Sequence, residues 1–224
     1  MDLVAIVPTR GRPSSAARLQ AVFDRSDVAK VIFVIDEDDP AREQYEWLGV
    51  RLMIAPPGGR PGIVDPLNWA VNRVLYESRP KYLAFMGDDH LPQGDWDVRV
   101  IETLRQLGTG FCYGNDLLMG ERIPTAVFVT ADVPRALGWM AAPALQHLFV
   151  DDYWLALGQG IDRIKYLPDT IIEHLHFLNG KADNDATYDH CNNPAAKVDN
   201  SAWQSYKQLQ LKLDIQKLQK LIKD

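Results

Sequence analysis

Apolar residues in the first half of the chain fall into short unbroken runs, each closed by polar or turn-forming residues and separated by stretches with helical spacing. Residues 3–7 are apolar and partly β-branched, and Pro8 ends them, which predicts a buried strand followed by the loop Thr9-Arg10-Gly11-Arg12-Pro13. Ser14 or Ser15 caps a helix over 15–25, with Ala17, Leu19, Ala21, Val22 and Phe23 among polar neighbours, and residues 31–35 form a second buried strand. Asp36-Glu37-Asp38-Asp39-Pro40 closes that strand; a short helix over 41–48 and a third strand over 50–54 follow. This alternation predicts an α/β protein with a mostly parallel central sheet flanked by helices.

Residues 56–62, rich in Pro and Gly, predict a loop that feeds a helix over 66–77, and a loop ahead of a helix start is a candidate anion site. A strand over 82–86, a helix over 95–107 and an apolar run over 110–114 complete a Rossmann-like nucleotide-binding half, residues 1–114. The second half, 115–177, is less regular, with strands over 125–130 and 171–177 and helices over 133–139 and 149–158; acceptor contacts are expected from it. Residues 178–200 are polar and rich in Asn and Asp, predicting an irregular segment. From 201 to 224, Leu211, Ile215, Leu218 and Ile222 recur at helical spacing among lysines, predicting a C-terminal amphipathic helix that docks on its own domain or pairs with a second copy as a homodimer.

Composition narrows the class. At 224 residues the chain suits one main domain with an appended tail. No apolar stretch approaches the roughly 20 residues of a membrane span, and the opening residues lack a basic leader, so a soluble, cytoplasmic protein is expected. Two cysteines, Cys112 and Cys191, support no disulfide framework. A formal net charge of -6 argues against nucleic acid as a partner, since backbone binding relies on concentrated basic charge.

The candidate chemistry sits at strand ends. Tyr82-Leu83-Ala84-Phe85-Met86 empties into Gly87-Asp88-Asp89-His90, and carboxylates in the crevice outside parallel strand ends are placed to hold a cation against a phosphate. His174 and His176, two apart on a predicted strand, point to one face, where either reaches a metal or both simply pack. Asp151 and Asp152 open a predicted helix, where an acid also serves as a cap and dipole partner. His147 and His190 have no such context and read as surface residues. Trp69, Trp139 and Trp154 read as buried aromatics before ligand-stacking ones.

Taken together, residues 7–13, Asp36, Leu67-Asn68, Gly87-Asp88-Asp89-His90, Val150-Asp151-Asp152-Tyr153-Trp154 and Ile172-Glu173-His174-Leu175-His176 resemble glycosyltransferases of the GT-A fold, family-2-like enzymes of the bacterial and bacteriophage type, over roughly residues 3–177. The resemblance implies transfer of a sugar from a UDP- or GDP-sugar to a hydroxyl acceptor, with inversion, and a divalent cation that absorbs charge on the leaving diphosphate. Oxygen ligands suit Mn²⁺ or Mg²⁺, and a histidine favours Mn²⁺. It further implies that Pro8, Thr9, Arg10 and Asp36 frame the nucleotide and that Asn68 contacts the donor. The family's Asp-x-Asp motif is displaced here: counted from Asp88 its third position is His90, and counted back from Asp89 its first is Gly87. Asp89 is favoured as the metal ligand and Asp88 as its ribose or supporting neighbour, with His176 ahead of His174. Asp152 is favoured as general base, with Asp151 raising its pKa. The rivals are a sugar-nucleotide nucleotidyltransferase, for which loop 9–13 is short and poor in glycine, and a non-catalytic nucleotide- or carbohydrate-binding module, which would not depend on Asp152.

Overall fold

A computed structural model describes residues 2–175, 180–181 and 186–223, without the side chains of 186–196. The expected succession is present in its first half: β1 (Leu3–Pro8), α1 (Pro13–Phe23), β2 (Ala29–Asp36), α2 (Arg42–Trp47), β3 (Leu52–Ala55), α3 (Val64–Glu77) and β4 (Tyr82–Phe85). Pro13 starts α1 where its missing N–H costs nothing. The second half contributes β5 (His90–Pro92), α4 (Trp96–Leu107), β6 (Phe111–Asn115), β7 (Val127–Thr130), α5 (Asp132–Leu137), α6 (Val150–Gly160), β8 (Ile164–His174), α7 (Ala186–Leu209) and α8 (Leu211–Lys223).

One sheet runs in the order β3-β2-β1-β4-β7-β6-β8-β5. Strands β3, β2, β1 and β4 are mutually parallel, and β7 is antiparallel to β4 and β6. Strand β8 is parallel to β6 and antiparallel to β5. Leu3, Ala5 and Val7 of β1 pack with Leu19, Phe23 and Leu104 on one face, while Val4 and Ile6 pack with Leu67, Val71 and Trp154 on the other. Burial on both faces is why these strands read as unbroken apolar runs rather than alternating ones.

Three expectations change. The final strand, expected over 171–177, begins at Ile164, because Leu167 pairs with Gly114 and Ile171 with Asn115, which leaves Pro168 in a bulge where its missing N–H breaks no ladder bond. Segment 178–200, expected to be irregular, enters α7 at Ala186. The tail is two helices rather than one, broken at Gln210, and its apolar stripe docks on the chain's own core: Leu218 is fully buried, and Leu211, Ile215 and Ile222 pack on the cluster built by α3, α5 and α6. The stripe is thus covered without a second copy. No helix among the described residues is long and apolar enough to cross a membrane.

Candidate active site

The carboxyl ends of β1, β2 and β4 open into one crevice of about 790 Å³, lined also by residues 147–149 and the start of α6. Strand β1 delivers Pro8 and Thr9 to it, and β2 delivers Asp36. The loop after β1 is ordered from α2: the Tyr45 hydroxyl accepts the Arg12 N–H at 2.8 Å and lies 3.2 Å from the Thr9 hydroxyl, while Asp39 accepts the Gly11 N–H at 3.1 Å. Arg10 bridges Asp36 at 3.2 Å and Asp38 at 2.7 Å, a partly exposed contact of modest strength.

Beyond β4 the chain turns through Gly87, where any side chain would collide with the Asp89 carboxylate, so glycine at that position lets the acids fold back over the strand end. Asp88 is buried, accepts a hydrogen bond from Thr9, and lies 3.3 Å from Arg12. Burial, with Asp89 beside it, pushes its carboxyl up to about 6 against the pull of Arg12. Asp89 faces two imidazoles: Oδ1 lies 3.3 Å from His90 Nδ1, and Oδ2 lies 3.5 Å from His174 Nε2. Burial opposes its ionisation, yet hydrogen bonding led by His174 holds its pKa well below the ordinary carboxylate range. Register brings the two rings together, since His90 of β5 is the direct partner of His174 of β8, and they stack at 4.3 Å between centroids.

His90 was not among the metal ligands expected from the sequence. Burial, then the neighbouring His174, lowers its pKa and keeps the ring neutral at pH 7. Its tautomer follows from its partners. Thr125 donates its hydroxyl proton to Asp116 at 2.8 Å, so Thr125 Oγ1, at 3.4 Å, can only accept from His90 Nε2. The Gly87 N–H at 3.1 Å then meets the Nδ1 lone pair. Asp116 is in turn anchored by three backbone N–H groups, of Leu118, Met119 and Gly120, at 2.7–3.0 Å. That lone pair also faces Asp89 Oδ1 at 3.3 Å, so a cation held between the two would displace the Gly87 N–H from Nδ1. One oxygen and two nitrogens within 4.8 Å form the donor set, and ligands around a small divalent ion at about 2.1 Å stand roughly 3 Å apart. The residues present fit such an ion, and the mixed oxygen and nitrogen donors favour Mn²⁺ over Mg²⁺. His176, the histidine preferred from the sequence, lies outside the described residues.

Across the crevice, Asp151 in the first turn of α6 lines the wall, and burial, with Asp152 beside it, pushes its carboxyl up to about 6. Asp152, favoured from the sequence as the base, does not line the crevice; burial raises its pKa too, against the pull of Lys207. Asn68 is not brought to the crevice: its side chain accepts the Met140 and Ala141 N–H groups at 2.9 Å and donates to the Ala141 carbonyl at 2.9 Å, clipping α3 to the segment after α5. His147, read as a surface residue, lines the crevice, and its buried Nδ1 has no hydrogen-bond partner among the described residues. Phe149 precedes α6 with φ of 63°, a left-handed conformation that costs a bulky residue about 1–2 kcal/mol. Trp154 is buried at the crevice floor, donating to the Met140 carbonyl at 2.8 Å.

No family model and no curated protein sequence matches the chain. Solved structures do match. TarS of S. aureus in complex with UDP-GlcNAc matches with a TM-score of 0.60 at 13% identity, over 84% of this chain and 60% of that one. Glucosyl-3-phosphoglycerate synthase from Mycobacterium tuberculosis, in complex with Mn²⁺, UDP and glucosyl-3-phosphoglycerate, matches with a TM-score of 0.63 at 13% identity, over 91% of this chain and 79% of that one. The same synthase in complex with Mg²⁺ and UDP gives a TM-score of 0.60 at 13% identity, over 91% and 78%. The chain spans about 60% of the TarS 1-349 structures it matches. At such identities the likeness speaks for architecture, and the chain has the Rossmann-like GT-A fold, with a mostly parallel sheet flanked by helices.

Proposed function

We propose that this protein is a metal-dependent glycosyltransferase that moves a sugar from a nucleoside diphosphate sugar to a hydroxyl acceptor with inversion. The observation that carries the reading is the opening of the Asp89, His90 and His174 cluster into the same crevice as Asp36 on the nucleotide side and Asp151 on the opposite wall. Structures with this fold hold UDP with Mn²⁺ or Mg²⁺, which supports a uridine donor.

A divalent cation held by Asp89, His90 and His174 would neutralise the charge that develops on the leaving diphosphate. Pro8, Thr9 and Asp36 frame the base and ribose, and Asp88, braced by Thr9 and Arg12, supports the ribose side. Asp151 accepts the proton of the acceptor hydroxyl as its oxygen bonds to the anomeric carbon and the carbon–oxygen bond to the diphosphate breaks. Asp151 rather than Asp152 takes this role because it alone of the pair lines the crevice, and its raised pKa suits a base working near neutrality.

The test is release of nucleoside diphosphate from UDP-glucose, UDP-N-acetylglucosamine and GDP-mannose, with water as acceptor and Mn²⁺ present or chelated. Mn²⁺-dependent release is expected with at least one donor, reduced about 10²-fold or more in Asp151→Asn and little changed in Asp152→Asn. Release that ignores the metal, or a larger loss in Asp152→Asn, would overturn the assignment.

A further inference from the structure

Asp199 of α7 is fully buried, and its carboxylate accepts three consecutive backbone N–H groups: Gln146 on Oδ1 at 2.8 Å, and His147 and Leu148 on Oδ2 at 2.8 and 2.7 Å. The segment it grips is the crevice wall that runs into the strained Phe149 and the first turn of α6. From the other side the Val64 N–H donates to the Gln146 carbonyl at 3.0 Å, and Gly62, with φ of 108°, stands so close to that carbonyl that no side chain would fit. The wall is thus held between the start of α3 and a carboxylate from the C-terminal helices.

Three aligned N–H dipoles on one buried carboxylate form a charge-assisted clamp. A loop carrying a left-handed phenylalanine keeps that conformation only where its surroundings over-determine it. The Tyr153 N–H, bonded to the Phe149 carbonyl at 3.0 Å, continues the hold into α6. We propose that Asp199 is a positioning residue: by fixing residues 146–149 it sets the helix start that presents Asp151 to the acceptor, so α7 completes the acceptor wall. The catalytic part of this inference rests on the proposed glycosyl transfer, whereas the clamp does not.

Hydrogen exchange in the full chain tests it first. In Asp199→Ala the amides of Gln146, His147, Leu148 and Tyr153 should exchange about 100-fold faster, with those of β1 and β4 unchanged. Asp199→Asn, which keeps one acceptor oxygen, should fall between. Affinity for UDP with Mn²⁺, read by calorimetry, should stay within about twofold, while UDP-sugar turnover drops about tenfold in kcat with little change in donor KM. Unchanged exchange at the three clamped amides, or faster exchange there without any at Tyr153, would overturn the proposal. So would turnover that falls only in step with donor affinity. If the wild type turns over no sugar nucleotide, glycosyl transfer fails as a reading, and the exchange pattern still decides the clamp.

Discussion

Asp151 ties the stability of the fold to the protonation of one buried carboxyl. Its pKa is raised from the ordinary 3.8 to about 6 by burial and by Asp152. The folded protein therefore holds this proton more tightly than the unfolded chain, so the group's contribution is full below pH 3.8 and is lost as pH rises through 6. At about 1.4 kcal/mol per pH unit, the loss is roughly 3 kcal/mol. Asp151→Asn, which cannot ionise, should melt at a higher temperature than the wild type at pH 8 in metal-free buffer and show no advantage at pH 4. An equal difference at both pH values would mean that the carboxyl is not titrating in the fold. Neighbouring acids at a helix start are visible in sequence, but which of the two turns inward depends on how α6 docks. The sequence for that reason favours Asp152, whereas Asp151 is the one that lines the crevice. Asp116, His147 and Asp199 left even less trace: Asp116 holds the backbone of its own loop, Asp199 grips a loop distant in sequence, and His147 lines a crevice that only the fold assembles.

At the scale of elements, the buried parallel strands were legible because each is an apolar run, and their ends told where polar chemistry would gather. β5 was not: three residues carry no period, and only pairing with β8 makes them a strand. Likewise, the polar composition of 186–200 concealed a helix whose buried Asp199 reaches another part of the fold. In α8 the apolar stripe was legible, and the break at Gln210 was not. That helix is tied down by Asp214, buried between the hydroxyls of Tyr206 at 2.6 Å and Tyr153 at 3.2 Å, and by Leu218. Leu218→Ala should cost about 2–5 kcal/mol, roughly 5–15 °C in Tm for a chain of this size. Leu213→Ala on the exposed side, where the leucine is 54% accessible, should cost under about 0.5 kcal/mol. Equal effects of the two substitutions in thermal unfolding would show that the stripe is not what docks the tail.

In the whole molecule, the three candidate ligands come from two segments far apart in the chain, Asp89 and His90 from one and His174 from the other, and they meet only where β5 lies against β8 in one register. A slip of a single residue would turn His174 to the opposite face of the strand. Pairing across so long a loop is slow to form, because chain entropy is lost before the contacts repay it. An ion that needs the finished register therefore binds after the folding barrier has been crossed. Mn²⁺ at about 100 times its dissociation constant, worth roughly 2.7 kcal/mol, should slow unfolding in urea about 100-fold and leave refolding unchanged. Asp89→Ala should unfold at the same rate with or without Mn²⁺. Stopped-flow traces in which Mn²⁺ speeds refolding instead would place the pairing of β5 with β8 before the barrier. The register of one short edge strand would thus set a lifetime: a cation held there would act as a latch that closes last and must open first.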